Sequence, residues 1–308
     1  MAKGSFARGA VCTLAGAVLW GFSGACIQQL TSMYDAQPLF ITMMRTLGAG
    51  VIIVAWLAVR RRDVLARMLR DRTALARLVF FGCAGLFMCQ VTYAIVIDYT
   101  NGGTATALQG LNVAFIVVAT AIIRRALPRR FEVAGMCTAL IATVLIATKG
   151  DLGVLVIPLP GLIWGIISAG TVAVYTMYPR RLFDQFGSLP VTGVGMLIAG
   201  VFSAVLFASG GLWGMPPEVP ALDAYGLAVL AGTVFLGSAA AFGLFLHGVS
   251  IVGSVKGSQL GAIEPVSATL FSWLWLGTSF TWADWLGLAL MVTTVFLVSL
   301  QRREEVGQ

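Results

Sequence analysis

The chain is 308 residues long with a formal net charge of +7; 58% of its residues are apolar and only 11% are charged. An ordinary soluble domain carries roughly 25% charged residues, and so sparse a polar complement cannot cover a soluble surface of this size. With a mean hydropathy of +0.91, a water-soluble fold is excluded and the outer surface must face lipid.

Apolar runs of about 20 residues, the length that crosses a bilayer core, follow one another along the chain. They are predicted as helices at 10–30, 38–59, 74–97, 103–123, 131–148, 156–178, 189–208, 224–246, 254–276 and 282–300. The first run, preceded by Lys3 and Arg8, outlasts the 7–15 residue core of a signal peptide and is expected to be a retained helix. The longest polar connection, 60–73, is short and rich in arginine, which leaves almost nothing for a soluble domain.

Lys and Arg set the expected orientation. One side of the spans collects Lys3, Arg8, seven arginines between 60 and 77, Arg124, Arg125, Arg129, Arg130, Arg180, Arg181, Arg302 and Arg303. The other holds Lys149 alone, while Arg45 and Lys256 fall within spans. Both termini are therefore expected in the cytoplasm, in an inner-membrane protein. The basic loops explain the net charge by meeting anionic lipid, with no nucleic acid involved.

Five cysteines lie in apolar runs, with one histidine and no CxxC or HExxH spacing, so neither a metal site nor a cofactor is expected. An intramembrane enzyme would need a catalytic constellation at membrane depth, and no such set of residues is present. A primary pump would need a GxxxxGK[ST] phosphate loop, which is likewise missing.

The chain repeats itself. The Trp20-Gly21 pair recurs as Trp164-Gly165, and the stretch from Gly103 to Gln109 matches Gly253 to Gln259. The stretch from Phe131 to Gly135 likewise matches Trp282 to Gly287. The units are 1–150 and 151–308. Five helices each, an odd number, make the second unit enter the membrane from the opposite side. That is the inverted repeat of many secondary transporters, whose substrate site lies near midplane between the halves.

These residues also resemble a known family. The order of Leu19-Trp20-Gly21, Met44-Arg45-Thr46-Leu47 and Leu260-Gly-Ala-Ile-Glu264-Pro265 is similar to that of the EamA branch of the drug/metabolite transporter superfamily. The sequence departs from the family pattern at Leu111-Asn112-Val113, which lacks a proline, and at Leu276-Gly277-Thr278, which lacks a glutamate. The resemblance implies an all-α fold of ten transmembrane helices that moves a small polar metabolite by alternating access. Amino acids, especially apolar or aromatic ones, are the substrates it suggests first. Choline or another quaternary ammonium compound is the alternative, held by an aromatic cage and Glu264.

Glu264 lies about midway through its span, where an acidic group is costly and by default functional. It can bind a cationic group, exchange a coupling proton, or serve helix packing. Arg45 can pair with Glu264, attract a substrate carboxylate, or reach for the interface. Trp20 and Trp164, both near midplane, can stack on a ligand or pack the core. Tyr93, Tyr175, Gln90, Gln109, Asn112 and Gln259 are candidate polar groups for orienting a ligand. Lys256, His247 and the tryptophans 56, 213, 273, 275, 282 and 285 are expected at the interfaces. Gly161-xxx-Gly165 and Gly257-xxx-Gly261 permit close helix approach. Both a monomer and a homodimer fit the sequence.

Overall fold

The computed structural model describes residues 3–151, 153–210 and 216–306. Trp213 lies outside the described residues, as do the side chains of Lys3, Arg302 and Arg303. Helix follows helix, and no strand occurs among the described residues. Eight helices are long and apolar enough to cross a membrane: α1 (Phe6–Tyr34), α2 (Pro38–Arg60), α3 (Arg72–Tyr99), α4 (Gly102–Arg124), α5 (Arg130–Thr148), α6 (Leu159–Phe186), α7 (Ser188–Ser209) and α8 (Ala224–Val252). The ninth expected span, α9, is split into Ser254–Gly261 and Ile263–Leu274. The tenth, α10, is Trp282–Val306.

The connection between α2 and α3 is itself helical, Arg62–Arg70, with Val64 and Met68 turned inward and most of its arginines exposed. This two-faced strip suits the lipid headgroup layer, where apolar residues dip inward and basic ones meet anionic headgroups. Asp71 then starts α3 by accepting the backbone N–H groups of Thr73 and Ala74 at 3.0 Å each. The Ala74 N–H above all holds its carboxyl below the usual range.

The two halves carry the same irregularities. The third helix of each is π-helical at its centre, over Phe81–Phe87 in α3 and Gly232–Ala240 in α8. The fourth helix of each is broken. In α4 two tight turns at Gly110 and Leu111 separate Gly102–Gln109 from Asn112–Arg124. In α9 the break falls at Ala262, upstream of Pro265. Pro265 therefore stands in the first turn of a new segment, where its missing N–H costs little.

Packing follows the same symmetry. α1 lies against α8 and α9 of the second half, as α6 of the second half lies against α3 and α4 of the first. α2 pairs with α7, and α5 with α10. The halves thus interlock around a shared interior instead of burying separate cores. Close approach rests on glycine: a Cβ on Gly200 of α7 would stand 2.5 Å from the backbone of Leu47, and one on Gly50 of α2 would strike the backbone of Leu197.

Gly200→Val is therefore expected to destabilise the detergent-purified protein by about 3 kcal/mol, the upper range for overpacking a filled interior. Gly243→Ala is its control, since a Cβ there meets nothing within 4 Å. Thermal melting compares the two. Equal melting points would mean that the α2–α7 contact does not set the fold.

Candidate substrate-binding site

At mid-depth the breaks of α4 and α9 leave two helix ends inside the bundle. Asn112 opens the second segment of α4, and Glu264 stands in the first turn of the second segment of α9. A helix start carries a partial positive charge, which favours an anion. Glu264 draws on this while remaining deep in the bundle. The residue is partly exposed, and its carboxylate has no hydrogen bond or ion pair among the described residues. The segment that carries Glu264 packs against α1, α4 and α10.

Arg45 of α2 is 3% exposed and reaches neither interface. Its Nε donates to Ser238 Oγ of α8 at 3.3 Å, while Nη1 is buried without an acceptor. No ion pair joins Arg45 to Glu264 among the described residues. Two opposite charges thus lie within the bundle, and neither neutralises the other by contact. In so apolar a setting each unpaired N–H of a guanidinium is costly, and a charge left without a partner more so.

Aromatic groups line the flanks. The Tyr93 hydroxyl shares a 2.7 Å hydrogen bond with Thr106 Oγ1, which in turn donates to Gly102 O at 2.8 Å. The Thr106 proton being committed, Tyr93 is the donor. Tyr175 lies nearly parallel to Phe81, with ring centroids 5.9 Å apart. Trp20 sits against Phe242 at 4.8 Å and Phe245 at 4.5 Å, and its Nε1 is buried without an acceptor. Trp164 packs beside the buried cluster of Tyr93, Ile97 and Leu108, and makes no ring contact with Trp20 among the described residues.

The remaining candidates divide. Gln109 is engaged, donating to Ser168 Oγ at 2.9 Å and so tying α4 to α6. Gln90 is 8% exposed and its amide has no protein partner among the described residues. Asn112 and Gln259 are partly exposed beside the two breaks. Lys256 and His247 are exposed, and the Lys256 ammonium lies 4.4 Å from the centroid of the Phe6 ring. Trp56, Trp273, Trp275, Trp282 and Trp285 are exposed on the outside, where anchoring side chains belong.

Sequence reasoning missed Ser238, Thr106 and Gln28. Small or neutral polar residues in apolar helices carry no periodic signal, and only the structure shows what they touch. Gln28 is the clearest case. Its Oε1 accepts from Gly102 N at 3.0 Å and Ser272 Oγ at 2.9 Å, while its Nε2 donates to Thr278 Oγ1 at 2.8 Å. That amide ties α1 to α4 and α9 on the face away from the termini.

The same face carries two more ties. Tyr34 donates to Asp223 at 2.6 Å, and Lys149 is paired with Asp284 at 2.6 Å. The Gly226 N–H and the Tyr34 hydroxyl hold the Asp223 carboxyl below its usual range. That bond is therefore complete at neutral pH and is lost only in strong acid, as pH falls through the depressed value. Burial agrees with the bonding. In α4 the segment on this face is buried from Gly102 to Leu108, whereas Val117 alone is buried in the other. In α9, Ser267, Ala268, Thr269 and Ser272 are buried on this face, while Gln259, Leu260 and Gly261 on the other remain partly exposed. Inverted symmetry would put tight packing on opposite faces of α4 and α9; here it lies on one.

Asp284 is 5% exposed on its side chain, so Lys149→Met leaves a buried carboxylate without its cation. Losing one partner of a buried pair costs about 3–5 kcal/mol. Lys149→Met is expected to lower the melting temperature markedly, and Lys149→Met with Asp284→Asn to recover part of the loss. No recovery in the double variant would show that the pair is not the source of the effect.

A polytopic helical protein with two interlocked repeats and broken helices within the bundle has the architecture found in many membrane transporters. The comparisons with known proteins agree. The model of the EamA-like transporter family matches residues 7–148 and again 159–300, and the chain belongs to that family. It is similar to the uncharacterized inner membrane transporter YicL of Salmonella typhimurium, 36% identical over 97% of this chain and 98% of that one. It is also similar to the S-adenosylmethionine/S-adenosylhomocysteine transporter of Chlamydia trachomatis serovar L2, 25% identical over 86% of this chain and 80% of that one. A crystal structure with 22% identity shares the fold at a TM-score of 0.63, covering 95% of this chain and 99% of its own. The protein is a multi-pass inner-membrane transporter.

Proposed function

We propose that the protein carries a small zwitterionic amino acid with an apolar or aromatic side chain, by alternating access. The observation behind this is the pair Arg45 and Glu264, opposite charges within the bundle that form no ion pair with each other, Arg45 Nη1 being buried without an acceptor. A free α-amino acid supplies the missing partner to each: its carboxylate to the guanidinium, bidentate where geometry allows, and its ammonium to the carboxylate. Tyr93, Tyr175 and Trp20 offer aromatic surface for an apolar side chain. The ligands named for the Chlamydia relative, S-adenosylmethionine and S-adenosylhomocysteine, are themselves α-amino acids. The arginine-rich face, which also carries the termini, is the cytoplasmic one. The bonding on the other face supports reading this conformation as closed toward the outside.

A quaternary ammonium substrate fits less well. Trp20 is flanked by Phe242 and Phe245, and Trp164 stands apart from it, so the aromatic cage has no open pair of faces. A choline-like cation would also share its site with the charge of Arg45. The test is thermal stabilisation of the detergent-purified protein by L-phenylalanine, L-leucine, betaine and choline, since a ligand of the folded state raises its melting point. Stabilisation by the two amino acids and not by choline is expected. Stabilisation by choline alone would overturn the reading.

A further inference from the structure

The guanidinium of Arg45 is held by a residue that no motif singles out. Ser238 is fully buried in the π-helical part of α8, and its hydroxyl donates to the carbonyl of Thr233, five residues back, at 2.8 Å. A hydroxyl has one proton to give, so toward Arg45 the Ser238 oxygen acts only as an acceptor. It takes the Nε–H at 3.3 Å. One edge of the planar guanidinium is thereby fixed, and the Nη groups are left for another acceptor, Nη1 being buried with none.

The other half of the molecule separates scaffold from adaptation. α3 is π-helical as well, and its Leu86 and Phe81 pack against Gly195 of α7, where a Cβ would stand 2.8 Å from Leu86 Cδ1. Gly195 lies 150 residues beyond Arg45, the offset at which Gly103 to Gln109 recurs. The widened turn therefore belongs to both repeats. One copy of the crossing is filled by aliphatic and aromatic carbon against glycine, the other by an arginine on a serine. The hydroxyl is what α8 adds, opposite a charge.

We propose that Ser238 is a positioning residue: by fixing the Nε edge of Arg45 it presents the Nη groups to a substrate carboxylate, and so sets the preference for amino acids over the corresponding amines. This rests on the zwitterion reading above. Ser238→Ala removes the acceptor and leaves the charge, whereas Ser238→Thr keeps the hydroxyl.

Two readouts on the full-length protein in detergent test it. In the first, NMR of arginine-labelled protein follows the Arg45 Nε–H signal, assigned by its loss in Arg45→Lys. That proton is expected to be protected from exchange in the wild type and in Ser238→Thr, and unprotected in Ser238→Ala. In the second, L-phenylalanine and phenethylamine are the binding probes. The affinity of Ser238→Ala for L-phenylalanine is expected to fall roughly tenfold, as for a hydrogen bond to a charged group, with phenethylamine unchanged and Ser238→Thr near wild type. Retained protection in Ser238→Ala, or equal weakening of both probes, would overturn the assignment. If the wild type binds neither probe, the amino-acid reading fails, and the exchange measurement still decides whether Ser238 holds Arg45.

Discussion

Arg45→Met is expected to abolish substrate binding and at the same time to raise the melting temperature of the empty protein. The two effects have one cause. A guanidinium at 3% exposure with an unpartnered Nη1 is a buried charge that the fold itself leaves partly unsatisfied. Replacing it by an apolar side chain of similar length removes that desolvation cost, and exchanges of this kind stabilise by about 1–4 kcal/mol. With substrate present the balance reverses. Truncating one partner of a buried charge pair costs about 2–5 kcal/mol, or roughly 30- to several-thousand-fold in affinity.

Arg45→Lys is expected to recover little. An ammonium keeps the charge but loses the planar fork that meets a carboxylate at two points while resting on Ser238. Thermal melting with and without L-phenylalanine measures both quantities in one experiment. A lower melting point for empty Arg45→Met would show that the arginine is satisfied within the fold, and the case for a carboxylate there would collapse.

How much of this was legible in the sequence differs by layer. Eight of the ten expected spans were, because lipid enforces apolar length; the ninth is split at Ala262. The repeat was legible in the recurrence of Trp-Gly and of the stretch ending at Gln109 and Gln259. Arg45 and Glu264 stood out because ionisable residues are rare at such depth. The breaks were not foreseen. Gly110 is one glycine among 36, and glycine inside a membrane helix signals close packing as readily as a turn. Pro265 stands three residues beyond the break at Ala262, in the first turn of the next segment, where a proline is compatible with continuing helix. Ser238 and Gln28 were invisible for another reason: what makes each matter is a partner in a distant helix, and a single sequence does not disclose which face of an apolar helix meets which neighbour.

Glu264→Gln is the complementary change, and its discriminating power lies in the choice of ligand. The amide keeps the size of the side chain and its place in the first turn of the second α9 segment but gives up the charge that would hold an ammonium. Affinity for L-phenylalanine is expected to fall roughly 10- to 100-fold, the value of a hydrogen bond between charged groups. Phenethylamine, which has only its ammonium, is lost altogether. Phenylpropionate, which has only its carboxylate, is expected to bind better, because Arg45 no longer shares its field with Glu264. Combining Glu264→Gln with Arg45→Met sharpens the point. The two side chains form no ion pair in the empty protein, so the coupling of their effects on its melting point should be no more than their longer-range attraction. In binding they should not add, since a ligand that spans both charges couples them. Coupling of equal size with and without ligand would mean that the two charges serve each other rather than a substrate.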